Sequence, residues 1–285
     1  MRALRASSPR MERAALIMFV AMSLIPLGDS AGKLLTSAHG VSPLWVASSR
    51  FFLATAMIAP FVPHGTFALL RNWRIWLRGL ILAMGITCIQ MALRTEDIAN
   101  VFAAFFIGPL ISFTLGALVL REPITGLRAV LIACGFAGVL VVVRPGFGGG
   151  AGLLWAVAAG SFYGLFLTAT RWLAGAGSPV ALAFTQFGIA ALALLPFGLA
   201  NLPPATTAVA GLTVLSAAGS LLGNLLLLYA NRIAPATQLA PLVYFQLIAA
   251  VALGWAIFGA LPDALTWLGL ALIVGAGLAS ARLRG

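Results

Sequence analysis

The sequence of 285 residues is 62% hydrophobic and only 8% charged, and its mean hydropathy is +1.08. A soluble domain carries roughly a quarter charged residues, so this composition excludes a water-soluble globule and indicates a protein whose solvent is lipid. The net charge of +11 does not indicate a nucleic-acid binder, because the arginines stand singly between apolar runs and form no basic stripe.

Ten apolar stretches are long enough to cross a bilayer, for which a helix needs about 20 residues. In chain order the predicted spans are 14–35, 43–62, 75–94, 98–120, 125–145, 151–173, 179–200, 207–230, 235–258 and 264–282, with turn-forming residues between them. The first span is not interpreted as a cleaved leader, because its apolar run continues through Lys33 and it has its own counterpart in the second half.

The two halves of the chain repeat one pattern at a nearly constant shift. Corresponding positions are Ser23 and Ser161, Lys33 and Arg171, Gly85 and Gly223, Asn100 and Gln238, and Gly116 and Gly254. Each half has five spans, an odd number, so the second half enters the membrane from the opposite side. We therefore predict an all-α membrane protein with ten transmembrane helices in two inverted five-helix repeats around a central cavity.

The predicted organisation is a cytoplasmic tail (1–13), a first repeat (14–145), a glycine-rich linker (146–150), a second repeat (151–282) and a short cytoplasmic tail (283–285). Thirteen basic residues, Arg78 among them, are predicted on the side of the N-terminus, and only Lys33, Arg94 and Arg144 on the other. The positive-inside rule then predicts that both termini are cytoplasmic.

Charged side chains at membrane depth are expensive, so each needs a partner or a function. Asp29 and Lys33 lie four positions apart in the first span and can form a pair on one helix face. This pair is predicted to be either a structural ion pair or a gating and coupling site. For Arg50, in the second span, a structural role is favoured over substrate contact, since its helix is otherwise apolar.

Amide side chains concentrate on the fourth and ninth spans, where Asn100 and its counterpart Gln238 each begin a face of polar and small residues. Pro109 and Pro241 weaken the same helices and are predicted to act in gating. Beside them lie amides of other spans and a set of aromatic residues. The predicted substrate-binding residues are Gln90, Asn100, Phe105, Trp155, Tyr163, Asn224, Gln238, Tyr244 and Gln246. For any single amide, an interhelical hydrogen bond is the alternative.

No catalytic or cofactor chemistry is indicated. Cys88 and Cys134 lie within apolar runs, and the two histidines and six acidic residues form no ligand or nucleophile pattern. We expect no metal and no cofactor, and an enzyme is disfavoured. The pairs Gly160-x3-Gly164 and Gly219-x3-Gly223 predict close helix packing.

The chain resembles the drug/metabolite transporter superfamily, in particular its EamA-like ten-helix members. The resemblance rests on Met91-Ala-Leu-Arg-Thr running into Asn100, on Gly108-Pro-Leu, on Leu120-Arg-Glu-Pro-Ile-Thr and on Arg144-Pro-Gly, with an echo at 258–266. One departure is that the acid present as Glu122 is replaced by Ala260 in the second half. The resemblance implies a cavity formed by spans 1, 3, 4, 6, 8 and 9, and amino acid export as in the bacterial aromatic amino acid exporters.

Two functions remain open at this stage. The first is alternating-access export of amino acids or related small metabolites across the bacterial inner membrane, with broad selectivity, since no charged clamp for a carboxylate is evident. The second is uptake of S-adenosylmethionine or another cationic metabolite, attracted by Asp29, because the Asp29-x3-Lys33 pair is similar to one in S-adenosylmethionine permease-like relatives. A channel is a further alternative.

The expected partners are a small-molecule substrate and the lipid bilayer, with the protein a monomer or weak dimer. Facilitated flux is favoured over proton coupling.

Overall fold

The computed structural model describes residues 9–119, 126–144, 150–173, 175–234 and 239–282, and every regular element within them is helical. The α-helices are α1 (Pro9–Ser37), α2 (Pro43–Ile58), α3 (Trp73–Thr95), α4 (Ile98–Phe105), α5 (Ile107–Val119), α6 (Gly126–Val143), α7 (Gly152–Trp172), α8 (Pro179–Leu199), α9 (Thr207–Ile233), α10 (Phe245–Phe258) and α11 (Ala264–Arg282). Three short 3-10 helices are Ala59–Phe61, Thr66–Arg71 and Ala240–Tyr244.

Ten helical segments within the described residues correspond in order to the predicted spans. Seven are long and apolar enough to cross a membrane, and the shorter apolar segments Ala129–Val143, Leu242–Phe258 and Ala264–Ala279 complete the set. Helix α1 begins at Pro9, within the stretch predicted as a tail. The predicted C-terminal tail, the linker apart from Gly150, and both Glu122 and Gln238 lie outside the described residues.

The helix ends follow from local sequence. Ser178 and Thr206 precede α8 and α9, and each side-chain oxygen accepts a hydrogen bond from a backbone amide of the first turn. Pro43 and Pro179 occupy first helical positions, where the missing N–H has no intrahelical partner to lose. Helix α10 ends at Phe258 and is capped by Gly259, whose φ of +65° is the left-handed conformation that glycine adopts most readily.

The fourth and ninth spans are both interrupted. The stretch predicted as one span at 98–120 consists of two helices, since α4 ends at Phe105 and α5 begins at Ile107. Pro109 has no N–H to donate to the carbonyl of Phe105, which removes one hydrogen bond at this point. In the second repeat a 3-10 helix that contains Pro241 precedes α10. Both spans therefore change backbone conformation in the middle of the bundle.

The two repeats interlock symmetrically. Helix α1 packs along α9, and α3 packs along α7. The repeat relates these two contacts to each other, because α1 corresponds to α7 and α3 corresponds to α9. The pairs α2 with α8 and α6 with α11 join each helix to its own counterpart. This arrangement is that of two halves related by a pseudo-two-fold axis, and the interior between them is shared by both repeats.

Glycines allow the closest of these approaches, as predicted for the Gly219-x3-Gly223 pair. A Cβ atom on Gly219 would lie 2.9 Å from the carbonyl oxygen of Leu24, and one on Gly28 would lie 2.9 Å from the carbonyl oxygen of Ser216. Real Cβ atoms essentially never come this near to backbone oxygens, so α1 and α9 are in backbone contact at this level. This contact brings the middle of α1 against α9.

Candidate functional site

A cavity of about 640 Å³, part of it open to solvent, lies between the two repeats and is called the central cavity below. Its lining residues are Ile25, Asp29, Arg50, Ile81, Leu82, Gly85, Ile86, Ile89, Phe105, Ala159, Phe162, Tyr163, Phe166, Ser220, Asn224, Leu227 and Gln246. They come from α1, α2, α3, α4, α7, α9 and α10. The mostly apolar wall with a few polar groups is typical of a small-molecule site.

A buried ion pair lies at the wall of the central cavity. Arg50 Nη1 donates to Asp29 Oδ1 at 2.6 Å, and the two side chains are only 2% and 3% exposed. Arg50 Nη2 also donates to the carbonyl of Gly28 and to Ser216 Oγ, at 3.0 and 2.8 Å, and Nε donates to the same hydroxyl. Gln90 Nε2 lies 3.3 Å from Asp29 Oδ1. Helices α1, α2, α3 and α9 thus meet in one polar network.

The predicted pairing of Asp29 with Lys33 is wrong. Lys33 Nζ instead donates to the carbonyls of Leu93 and Glu96, at 3.0 and 2.7 Å, and lies 5.4 Å from the ring centroid of Phe258. The last carbonyls of a helix have no intrahelical donor and carry the negative end of its dipole, so the end of α3 attracts an ammonium group. Asp29 instead pairs with Arg50, which extends from α2.

The end of α3 is also joined to α7. Glu96 Oε1 accepts a hydrogen bond from the backbone amide of Gly152 at 3.1 Å, at the N-terminus of α7, where the unpaired amides favour a carboxylate. Together with the Lys33 contacts, this bond ties α1, α3 and α7 together at the bundle face where α1 ends. We refer to the Lys33 and Glu96 contacts as the α3 clamp.

Aromatic rings form one wall of the central cavity. Phe105 and Tyr163, both predicted to bind substrate, lie 4.8 Å apart between ring centroids, and Tyr163 and Phe166 are stacked at 6.3 Å. Phe162 also lines the cavity. Trp155, predicted to belong to the same wall, is 48% exposed and is not a lining residue. The bundle turns this part of α7 outward, where a membrane would lie.

The predicted amides divide between two locations. Asn224 and Gln246 line the central cavity, and Gln90 lies behind the lining, against Asp29, with its Oε1 buried and without a partner among the described residues. Asn100 does not line the cavity but accepts a hydrogen bond from Thr266 Oγ1 at 3.0 Å, which is the interhelical alternative.

The remaining predicted site residues lie around the two interruptions. Tyr244 is not a lining residue and packs against Phe106, with ring centroids 5.3 Å apart. Pro109 lies in the first turn of α5, and Pro241 lies in the 3-10 helix before α10. Both prolines thus lie at interruptions of their spans, and they were selected because a proline weakens a helix.

Three polar residues of this region are not among the predicted substrate-binding residues. For Arg50 a structural role was favoured over substrate contact and no charged clamp was expected, yet Arg50 lines the cavity beside Asp29. Ser216 holds the guanidinium and donates to the carbonyl of Gly28 at 2.9 Å. Arg78, predicted to lie in a cytoplasmic segment, is 1% exposed and lies 4.8 Å from the ring centroid of Phe166. A charge within a span was the available signal for Arg50.

Comparison with known proteins places the chain among transporters. The EamA-like transporter family matches residues 13–144 and 150–280. An S-adenosylmethionine uptake transporter of Rickettsia prowazekii (strain Madrid E) is 27% identical over 238 residues, which are 82% of this chain and 81% of the relative. A protein of the same name from Rickettsia felis (strain ATCC VR-1525 / URRWXCal2) is 29% identical, with the same coverage.

A solved crystal structure has a similar fold, with a TM-score of 0.63 and 20% sequence identity, over 96% of this chain and 99% of that one. At this identity the likeness concerns the fold alone. The family match over two consecutive segments and the helical structure confirm the prediction of an all-α membrane protein built from two five-helix repeats, and they confirm the resemblance to the EamA-like transporters.

Proposed function

Because the chain belongs to the EamA-like transporter family, we propose that it is a secondary transporter that takes up S-adenosylmethionine, or a closely similar sulfonium metabolite, across a bacterial inner membrane. The named relatives support this substrate, since they align with about four-fifths of the chain and are all S-adenosylmethionine uptake transporters. Uptake of this cationic metabolite was the second of the two functions predicted from the sequence, and amino acid export was the first.

The observation that carries the proposal is a carboxylate at the wall of an aromatic cavity in a membrane protein. Asp29 is the one acidic residue among those that line the central cavity, and its carboxylate can accept hydrogen bonds from a positively charged group of the ligand. The faces of Phe105, Tyr163 and Phe166 suit both a sulfonium cation, through cation–π contact, and the flat adenine ring. The amides of Asn224 and Gln246 offer donors and acceptors for the polar edge of a purine or ribose.

Transport would proceed by alternating access between the inverted repeats. The α3 clamp closes the face where α1 ends, and under the proposed topology, with both termini cytoplasmic, this is the external face. Lys33 would then act as a gate. Pro109 and Pro241, at the interrupted spans, would let the two halves bend, and Asp29 would couple substrate binding to the network of four helices.

Export of amino acids remains the second candidate, because a cavity lined by both Asp29 and Arg50 also suits a neutral zwitterion. In this function Asn224, Gln246 and Tyr163 would contact the backbone and side chain of the amino acid. The named relatives provide no support for it, since they are uptake transporters of S-adenosylmethionine.

Reconstitution of the purified chain into liposomes separates these functions. Labelled S-adenosylmethionine outside the vesicles should accumulate saturably, and excess unlabelled ligand should compete. Asp29→Asn should abolish the flux while Asp263→Asn, which neutralises an acid outside the cavity, should leave it unchanged. Saturable efflux of preloaded amino acids without S-adenosylmethionine uptake would establish the second candidate instead.

A further inference from the structure

The bonds of the Asp29–Arg50 pair are unevenly distributed. Among the described residues, both hydrogen bonds to the Asp29 carboxylate end on Oδ1, one from Arg50 and one from Gln90. Arg50 has five N–H groups. Nε and Nη2 are engaged by Ser216 and the carbonyl of Gly28, whereas Nη1 has the single partner Asp29 among the described residues. Each member of the pair keeps hydrogen-bonding capacity, at Oδ2 and at Nη1.

This remaining capacity lies at a cavity wall. Both Asp29 and Arg50 are lining residues of the central cavity, although each side chain is at most 3% exposed. A buried ion pair that is bonded through only one carboxylate oxygen contributes little to stability. The cost of desolvating the two charges offsets their attraction unless the other lone pairs and protons also form hydrogen bonds. A ligand that supplied one donor and one acceptor would complete the set.

We propose that the Asp29–Arg50 pair is the subsite for the α-amino-acid group of the substrate. The ammonium group donates to Asp29 Oδ2, and the carboxylate accepts from Arg50 Nη1. This inference rests on the proposed function and deepens it, because S-adenosylmethionine carries such a group in addition to its sulfonium.

Charge balance favours this assignment over binding of a simple cation. Asp29 and Arg50 together are neutral, so a cation placed at Asp29 alone would also approach a guanidinium held 2.6 Å away. The zwitterionic α-amino-acid group binds with its own dipole opposed to that of the pair, so it adds no net charge at this subsite. Hydrogen bonds between charged groups are also stronger than neutral ones.

The surrounding residues fix the orientation of the pair. Ser216 Oγ accepts from the guanidinium and donates to the carbonyl of Gly28, and Gln90 holds Oδ1 from the side of α3. A Cβ on Gly32 would lie 3.2 Å from Arg50 Nη2, so the guanidinium also fits closely against α1. Ser216 and Gln90 are therefore positioning residues, and the rest of the substrate extends along the aromatic wall.

The test compares ligands on the wild-type chain, by competition with labelled S-adenosylmethionine and by ligand-induced thermal stabilisation in detergent. Decarboxylated S-adenosylmethionine keeps the sulfonium, the adenosine and the amino group but lacks the carboxylate. It should bind about 10- to 100-fold more weakly, the range expected when hydrogen bonds to a charged group are lost. Equal affinity for the two ligands would overturn the inference while leaving the proposed function intact.

A charge-exchanged variant provides an independent check. Asp29→Arg/Arg50→Asp keeps an ion pair but reverses its direction, so an exchange variant that folds should lose preference for the carboxylate-bearing ligand. Retention of that preference in a folded exchange variant would contradict the subsite. Arg144→Gln is the matched control, because it breaks an ion pair of the same 2.6 Å length outside the cavity and should change neither affinity.

Failure of the proposed function gives a different result. If amino acids bind and S-adenosylmethionine does not, each amino acid should still bind better than the amine that lacks its carboxylate, which supports the subsite and overturns the substrate. A chain stabilised by neither S-adenosylmethionine nor any common amino acid would overturn both.

Discussion

Phe106 and Tyr244 occupy corresponding positions of the two repeats and pack against each other, with ring centroids 5.3 Å apart and ring planes at 34°. Phe106 lies between α4 and α5, and Tyr244 is the last residue of the 3-10 helix that precedes α10. The two interruptions therefore meet at the pseudo-two-fold axis. Within the described residues, each half has one span that departs from a continuous α-helix in its middle. The ring pair joins these two interruptions.

Truncating this ring pair should destabilise the bundle. Phe106 is 2% exposed, and Phe106→Ala should lower the free energy of unfolding by about 3–5 kcal/mol, as for other buried aromatic residues. Phe61→Ala, at a ring that is 72% exposed, should change it by less than about 0.5 kcal/mol. Denaturant unfolding in detergent micelles measures both, and equal effects would exclude a structural role for the pair.

The α3 clamp should depend on the charge of Lys33. In Lys33→Met the carbonyls of Leu93 and Glu96 lose their ammonium donor, so the last turn of α3 should separate from α1 more often. Hydrogen–deuterium exchange should accelerate in residues 93–97. Lys33→Arg keeps a cation and should restore protection, whereas unchanged exchange in the methionine variant would show that the clamp does not hold this face closed.

The contact between α1 and α9 should tolerate no side chain at Gly219. Gly219→Ala forces a Cβ to within 2.9 Å of a backbone oxygen of α1, and overpacking of this kind costs about 1–3 kcal/mol. Gly211, on the same helix, faces open space, so Gly211→Ala should be neutral or should stabilise α9 by about 0.5–1 kcal/mol. In thermal unfolding, the Tm should fall for Gly219→Ala and should stay unchanged or rise for Gly211→Ala. A Gly219→Ala variant with the wild-type Tm would contradict the backbone contact.

The exposed ion pair between Arg144 and Asp263 should respond to acid. Hydrogen bonds from Arg144 and then Thr266 lower the pKa of Asp263 from 3.8 to about 2. A carboxyl whose pKa is lower in the folded state stabilises the fold above its unfolded pKa, and this stabilisation declines as the pH falls from about 4 to about 2.

Asp263→Asn should therefore be less stable than the wild type at pH 7, and the difference should vanish at or below about pH 2. Since the Asp263 side chain is 54% exposed, solvent screening limits the difference to within about 1 kcal/mol. The measurement is the free energy of unfolding of both chains across this pH range. A difference that persists at the lowest pH would show that the asparagine acts through something other than charge.

The spans and their symmetry were predictable because they depend on local properties. Apolar length identifies a membrane helix, an odd number of spans inverts the second repeat, and a proline removes a backbone donor at a known position. The interruptions near Pro109 and Pro241 follow from the last of these. The aromatic wall was predictable only in part, since Tyr163 lines the cavity whereas Trp155, on the same helix, does not.

The partners of buried polar groups were not predictable in this way. Helical periodicity shows that Asp29 and Lys33 share a face, but it carries no information about which other helix lies opposite that face. The backbone contact of Gly28 with α9 brings Ser216 to Arg50, and the packing of α2 and α3 brings Arg50 and Gln90 to Asp29 and the end of α3 to Lys33.

The sequence by itself thus determined the membrane class, the number and order of the spans and their inverted relationship, since each depends on hydropathy and chain order. Only the tertiary structure decided that the charge near the middle of α2 belongs to the cavity, that Trp155 is turned outward, and that Asn100 bonds to Thr266. These outcomes depend on distances between helices, which side-chain packing sets and which no single helix encodes.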